Sequence, residues 1–147
     1  MDYYQFGQLM LDANVYGKIH GICLKSITQD EIETYLEVKE EMKNPYGMVH
    51  GGLMFMLADS TCGMLCRIDG RRYVTLNADI RYLQSGRSGT ITAKGRMVRR
   101  GKSTAVVTAD VLTEDGTLLS QATFTMYCLD QDLVPFESGE PAGIEKK

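Results

Sequence analysis

From Gly51 to Ile68 the chain reads GGLMFMLADSTCGMLCRI, a stretch of 18 residues that is apolar nearly all round and is interrupted by one aspartate, Asp59. Strands average about 5–6 residues, so this stretch is far too long to be one. A helix with apolar side chains on every face has to be buried on most sides. A chain of 147 residues can form one real core but not two ordinary ones. Everything else must therefore be arranged around this helix.

The flanking segments carry mostly the period of a sheet. Residues 3–16 place Phe6, Leu9, Met10 and Ala13 on one helical face, which predicts a short first helix. Residues 18–27, with His20 as an ordinary strand residue, and residues 32–38 move toward alternation. In the second run Ile32, Leu36 and Val38 oppose Glu33, Tyr35 and Glu37, which predicts a hairpin turning near Gln29 and Asp30. After the apolar stretch come four runs of period two. Val74, Leu76, Ala78, Ile80 and Tyr82 share one face of the first; Ile91, Ala93 and Met97 mark the second; Ala105, Val107, Ala109 and Val111 mark the third; residues 118–129 form the fourth. SGRSG, RRGK and EDG supply the turns. The expected fold is α+β: an antiparallel sheet of about five or six strands, running as a meander and wrapped around one long central helix. Residues 1–130 make a single domain in this reading, and 131–147, rich in Pro, Gly and Glu, an extended tail. Such a sheet leaves an edge and an outer face to cover, for which dimerisation is the usual answer.

Composition narrows the class. The four cysteines, Cys23, Cys62, Cys66 and Cys128, have no paired-ligand spacing and read as buried free thiols, which predicts a reducing compartment, the cytoplasm. Cys62 and Cys66 lie one helical turn apart but lack two further ligands for zinc, so no metal is expected. Residues 1–8 lack the basic region and apolar block of a secretory signal, and the longest apolar run, residues 53–58, is far short of the roughly 20 residues that span a bilayer. Charge is uneven: −5 over residues 1–66, +8 over 67–104 and −6 over 105–147. A basic block inside an acidic chain predicts either a solvated strand face or one site for an anionic ligand. With a sequence pI of about 5.4 and no aromatic platform among the basic residues, nucleic acid is not an expected partner.

Asp59 is expensive to bury unless something pairs with it or uses it. Upstream, Gly51 and Gly52 stand where a loop runs into the helix, and backbone N–H groups there have no intrahelical partner. Two readings are open: close packing of the helix start on a strand, or approach of a ligand oxygen to those donors, as in an oxyanion hole. Gly52 and Asp59 are separated by about 10 Å along the axis, too far to act on one carbonyl within a subunit. Two such helices antiparallel across a two-fold axis would bring Asp59 of one to Gly52 of the other. That geometry predicts a dimer with shared sites.

The spacing N-x5-HGG-x6-D, present as Asn44, His50-Gly51-Gly52 and Asp59, resembles the hotdog-fold acyl-CoA thioesterases, in the branch that includes the phenylacetate-pathway enzymes. The similarity runs over about residues 15–128 and takes in VTLNADIRYLQSG and VRRGKSTAVVTADVLTEDGTLLSQATFTMY. It implies an acyl-CoA thioesterase, aryl-acyl groups included, with no cofactor beyond the coenzyme A of the substrate, and a homodimer that assembles further into a tetramer. By the same resemblance Gly52 donates its N–H to the thioester carbonyl, with Asn44 beside it. Asp59 of the partner chain is the catalytic carboxylate, and Thr75 orients the water. His50 either holds the substrate carbonyl or only orients the glycine turn. Asp59 acts as general base, the favoured reading, or as nucleophile.

The RRGKS turn, with Arg99, Arg100, Lys102 and Ser103, is the expected phosphate contact, and Arg81, Arg87 and Arg96 are further candidates. The chain departs from many relatives at Gln84-Ser85-Gly86, where they carry a proline, and its methionines suggest a deformable acyl pocket. Two rival functions share the fold expectation: a hydratase or dehydratase using His50 with Asp59, and a non-catalytic acyl-CoA sensor.

Overall fold

The structure, a computed structural model, describes residues 1–129; the predicted tail lies outside the described residues. The apolar stretch forms a helix, Gly51–Arg67, whose Leu57, Ala58, Cys62, Leu65 and Cys66 are fully buried. Six strands surround it: β1 Cys23–Ile27, β2 Glu31–Glu37, β3 Tyr73–Tyr82, β4 Thr90–Arg100, β5 Thr104–Thr113 and β6 Leu118–Cys128. All pair antiparallel, in the order β1-β2-β4-β5-β6-β3. The expected meander is corrected here. β3 does not lie between β2 and β4 but crosses to the far edge and pairs with β6, so β2 and β4 become neighbours. Local periodicity carries no information on such long-range pairing.

The residues facing the helix form one apolar layer, with Ile32, Leu36, Ile91, Ala93, Val107, Ala109 and Phe124 almost inaccessible. Burying a side chain of that size stabilises by roughly 1.5–3 kcal/mol, so this single layer dominates stability. The β1–β2 turn is set by Thr28, whose Oγ1 accepts from the Asp30 and Glu31 N–H groups.

The N-terminal segment is two helices rather than one. The first, α1, runs Tyr3–Ala13 from a capping box between Asp2 and Gln5, and buries Phe6, Met10 and Leu11. Asn14 then caps α2, Val15–Ile19, by accepting from the Gly17 N–H; the long helix is α3. Consequently Ala13 is exposed, and His20 caps α2 edge-on to Tyr16 instead of joining a strand.

Two β-bulges change which residues face inward. In β3 the register shifts between Thr75 and Asn77, so Thr75 lies opposite buried Met126 and Ala78 opposite buried Phe124. Val74 and Leu76, expected on the core face, are exposed at 46% and 62%. In β4 the shift lies between Met97 and Arg99; Arg100 falls opposite buried Ala105 and so on the core face, while Val98 is exposed. An extra residue in one strand flips every side chain beyond it.

Candidate active site

The loop before α3 is built to deliver His50. Asn44 Oδ1 accepts from the Tyr46 and Met48 N–H groups, Gly47 takes a left-handed φ of +74°, and the His50 N–H donates to the Met42 carbonyl. His50 then caps the helix: its Nδ1 accepts from the Gly52 N–H at 2.8 Å. Accepting there puts the proton of a neutral imidazole on Nε2. This contact orients the glycine turn and leaves the Nε2 side of the ring uncommitted among the described residues.

Gly52 therefore needs correcting as the donor to a carbonyl, because its N–H is already engaged. The Leu53 and Met54 N–H groups both donate to the His50 carbonyl. Among the described residues only the Gly51 N–H of this first turn is left without a partner. Gly51 lines a cavity of about 270 Å³ together with Asn44, Met54, Tyr82 and Leu83. Asn44 and a free helix N-terminal donor thus share one small chamber, though Asn44 also shapes the loop with its side-chain oxygen.

Asp59 lies further along α3, half-buried, against β3. Its Oδ1 accepts from the Thr75 hydroxyl at 2.6 Å, its one hydrogen bond among the described residues. The β3 bulge makes this possible by turning Thr75 toward the helix. A carboxylate held by one hydroxyl keeps three of its lone pairs for water or substrate. The edge strand thus supports both halves, Thr75 against Asp59 and Tyr82 against Gly51, and within one chain the halves are about 12 Å apart along the helix.

The expected phosphate turn divides. Arg99, Lys102 and Ser103 are exposed. Arg100 is not available: its guanidinium turns inward to the Leu65 carbonyl at 2.8 Å and lies 3.4 Å from Asp69. Asp69 also pairs with Arg71, which reaches on to the carbonyls of Gly101 and Lys102. The C-terminus of α3 and the β4–β5 turn are thereby locked by charge, in a network that no local sequence pattern marks.

The basic block is not a basic patch in space. Lys94 faces Glu33, whose carboxyl the Lys25 ammonium holds below the usual range. Arg81 and Arg96 lie in a polar hollow of about 670 Å³ on the outer face of the sheet, among Glu31, Glu33, Asp79 and Asp110. This hollow, the larger of the two, holds neither Asp59 nor His50.

Three cysteines are buried as expected, but Cys23 is exposed on edge strand β1. Burial pushes the Cys66 thiol up to about 12 and raises Cys62 as well, which leaves both unreactive. Among the described residues no cluster of three His, Cys, Asp or Glu could hold a metal, and no helix is long and apolar enough to cross a membrane.

A six-stranded antiparallel sheet around one long helix, with a glycine turn at the helix start and a carboxylate midway, defines the hotdog fold. The chain belongs to the thioesterase superfamily, whose family model matches residues 46–120, a span that holds α3, Asp59, Thr75 and Tyr82. It is similar to PaaI-type proteins. Acyl-coenzyme A thioesterase PaaI of Escherichia coli is 27% identical over 76% of this chain and 80% of its own. The structure of the PaaI protein superposes with a TM-score of 0.84 over 90% of this chain and 96% of that one, at 22% identity. A putative esterase of Haemophilus influenzae is 30% identical over 72% of this chain and 79% of its own. A Streptococcus mutans protein whose crystal structure holds acetyl CoA is 34% identical, with a TM-score of 0.71, over 74% of this chain and 88% of that one.

Proposed function

We propose that this chain hydrolyses acyl-CoA thioesters by Asp59-assisted attack of water, at sites completed between two copies of the chain. The observation that carries the reading is the Asp59 carboxylate, half-buried, held by a single hydroxyl and otherwise open. Its Oδ2 takes a proton from water as the water oxygen adds to the thioester carbonyl. The oxyanion that forms is met by the Gly51 N–H and the Asn44 side-chain amide. The carbonyl is restored as the C–S bond breaks, the thiolate of coenzyme A leaves, and the proton held by Asp59 returns to it. Thiolate is a good leaving group, so neither metal nor a strong acid is required.

The two halves lie too far apart on one chain, and both sit beside an edge strand that presents Val74, Leu76, Tyr82 and Leu83 to solvent. Antiparallel pairing of that edge with its copy about a two-fold axis would bring Asp59 of each chain to Gly51 of the other. Exposed Arg99, Lys102 and Ser103 are the remaining candidates for the phosphates of coenzyme A, in a cytoplasmic enzyme. The acetyl CoA bound by the Streptococcus mutans relative supports that carrier.

The test is thiol release from a panel of short, long and aryl acyl-CoAs. Wild-type turnover that is lost in Asp59→Asn, with dimer and melting temperature retained, is the expected result. Turnover surviving in Asp59→Asn overturns the mechanism. No release from any thioester, with acyl-CoA still raising the melting temperature, replaces the hydrolase by a binding protein. Hydration of an enoyl-CoA in place of hydrolysis would make it a hydratase.

A further inference from the structure

The Gly51–Gly52 peptide is gripped on both of its polar atoms. Its N–H donates to His50 Nδ1 at 2.8 Å, and its carbonyl accepts from the Tyr82 phenol at 2.7 Å. One holder comes from the helix cap and the other from the end of β3. A peptide is a rigid plane, so fixing both atoms fixes the torsions on either side of it, ψ of Gly51 and φ of Gly52. Two adjacent glycines would otherwise be among the most mobile residues in the chain.

The shapes agree with this arrangement. A Cβ on Gly51 would stand 3.2 Å from Tyr82 Cζ and 3.3 Å from its Oη, and a Cβ on Gly52 would stand 3.0 Å from His50 Nδ1. Each glycine is fitted to one of the two holders. The next peptide upstream carries the Gly51 N–H, the one donor of this turn without a partner among the described residues. Its direction relative to the gripped plane depends on the two torsions at Gly51, of which the grip fixes ψ.

We infer that Tyr82 is a positioning residue of this site: through the Gly51 carbonyl its phenol aims the neighbouring Gly51 N–H into the cavity that Asn44, Met54 and Tyr82 line. The inference rests on the reading of that cavity as the place of the thioester carbonyl. Preorganised donors stabilise developing charge because they need no reorganisation when the charge appears. Tyr82 does not touch the reacting atoms; it supplies the preorganisation. Burial raises its phenol further above the neutral range, so it stays a donor.

Tyr82→Phe keeps the ring and removes only the hydroxyl. Two readouts decide: steady-state kinetics on the best acyl-CoA of the panel, and amide hydrogen exchange of Gly52, whose N–H the grip holds, by NMR. The expected result is a kcat lower by about tenfold, as for one lost hydrogen bond, with KM within about twofold, because the interaction matters only once charge develops. Exchange at the Gly52 amide should quicken by a similar factor while the melting temperature stays close to that of the wild type. A kcat unchanged in an active enzyme overturns the inference, as does a kcat lowered only in proportion to lost folded protein. If the wild type turns over no thioester, the hydrolase reading fails by itself. Exchange then decides about Tyr82: a faster Gly52 amide keeps its hold on the turn, and an unchanged one overturns it.

Discussion

Asp59 and Asp69 stand ten residues apart, one within α3 and one just past its end, and the chain treats them in opposite ways. Asp69 is saturated. Its Oδ1 accepts the Arg71 N–H at 2.9 Å, and its Oδ2 takes Arg71 Nε at 2.9 Å, Arg71 Nη2 at 2.8 Å and the Tyr73 phenol at 2.7 Å, with Arg100 alongside. Asp59 has the Thr75 hydroxyl alone among the described residues. A carboxylate pinned through both oxygens by several donors holds structure together; one kept half-buried and under-used is available to water. The ends of α3 repeat the contrast. The C-terminal carbonyl of Leu65 is closed by Arg100, whereas the N-terminal turn keeps the Gly51 N–H open.

The largest expected effect tests the open carboxylate. Asp59→Asn preserves shape and should lower kcat by on the order of 10³-fold, within the range for loss of a positioned general base, with melting unchanged. Asp69→Asn should do the reverse. Its side chain is 14% exposed and that of Arg71 10%, so neutralising it leaves two enclosed guanidinium groups without their counter-charge. The loss should be about 3 kcal/mol, and at roughly 2–4 °C per kcal/mol for a chain of this size the melting temperature should fall by about 6–12 °C. The fraction still folded should keep wild-type kcat. If Asp69→Asn abolished turnover without lowering the melting temperature, the division of labour between the two aspartates would be wrong.

A smaller effect sharpens the comparison on the Asp59 side. Thr75→Val removes the one hydroxyl that orients the carboxylate and is otherwise close in shape. A hydrogen bond to a charged group contributes roughly 1.5–3 kcal/mol, so kcat should fall by at least about tenfold. The measurement is kcat against KM: a rise in KM alone would mean that Thr75 contacts substrate instead of positioning Asp59.

How far this arrangement was legible in the sequence follows from what local pattern encodes. The length and uniform apolarity of residues 51–68 dictated a central helix, and the N-x5-HGG-x6-D spacing marked both ends of the site. What escaped was everything that depends on register. Strict alternation put Val74 and Leu76 on the core face, while the bulge after Thr75 turns Thr75 inward to Asp59 instead. The same kind of slip at Val98 sends Arg100 to the helix end and takes it out of the predicted phosphate turn. The engagement of the Gly52 N–H, expected to face a carbonyl, escaped for another reason: only coordinates reveal that His50 Nδ1 accepts from it. The Asp69 network left no local trace, because its partners Arg71, just before β3, and Arg100, at the end of β4, meet only in the fold.

The smallest effect concerns a buried polar group that neither aspartate explains. Ser120 is inaccessible, and its hydroxyl has no hydrogen-bond partner among the described residues. A register shift between Val111 and Leu112 in the β5–β6 pairing turns both Leu119 and Ser120 inward, and Ser120 ends opposite Tyr82 in β3. A hydroxyl taken out of water and left unsatisfied costs about 1–3 kcal/mol, whereas alanine at the same place has nothing to satisfy. Ser120→Ala leaves a gap of only one oxygen, so the relief should outweigh the lost contacts. It should stabilise the chain by roughly 1 kcal/mol, raising the melting temperature by about 2–4 °C. A calorimetric scan showing destabilisation instead would mean that the hydroxyl has a partner in solution, and its place behind Tyr82 would make a water at the back of the glycine turn the first candidate.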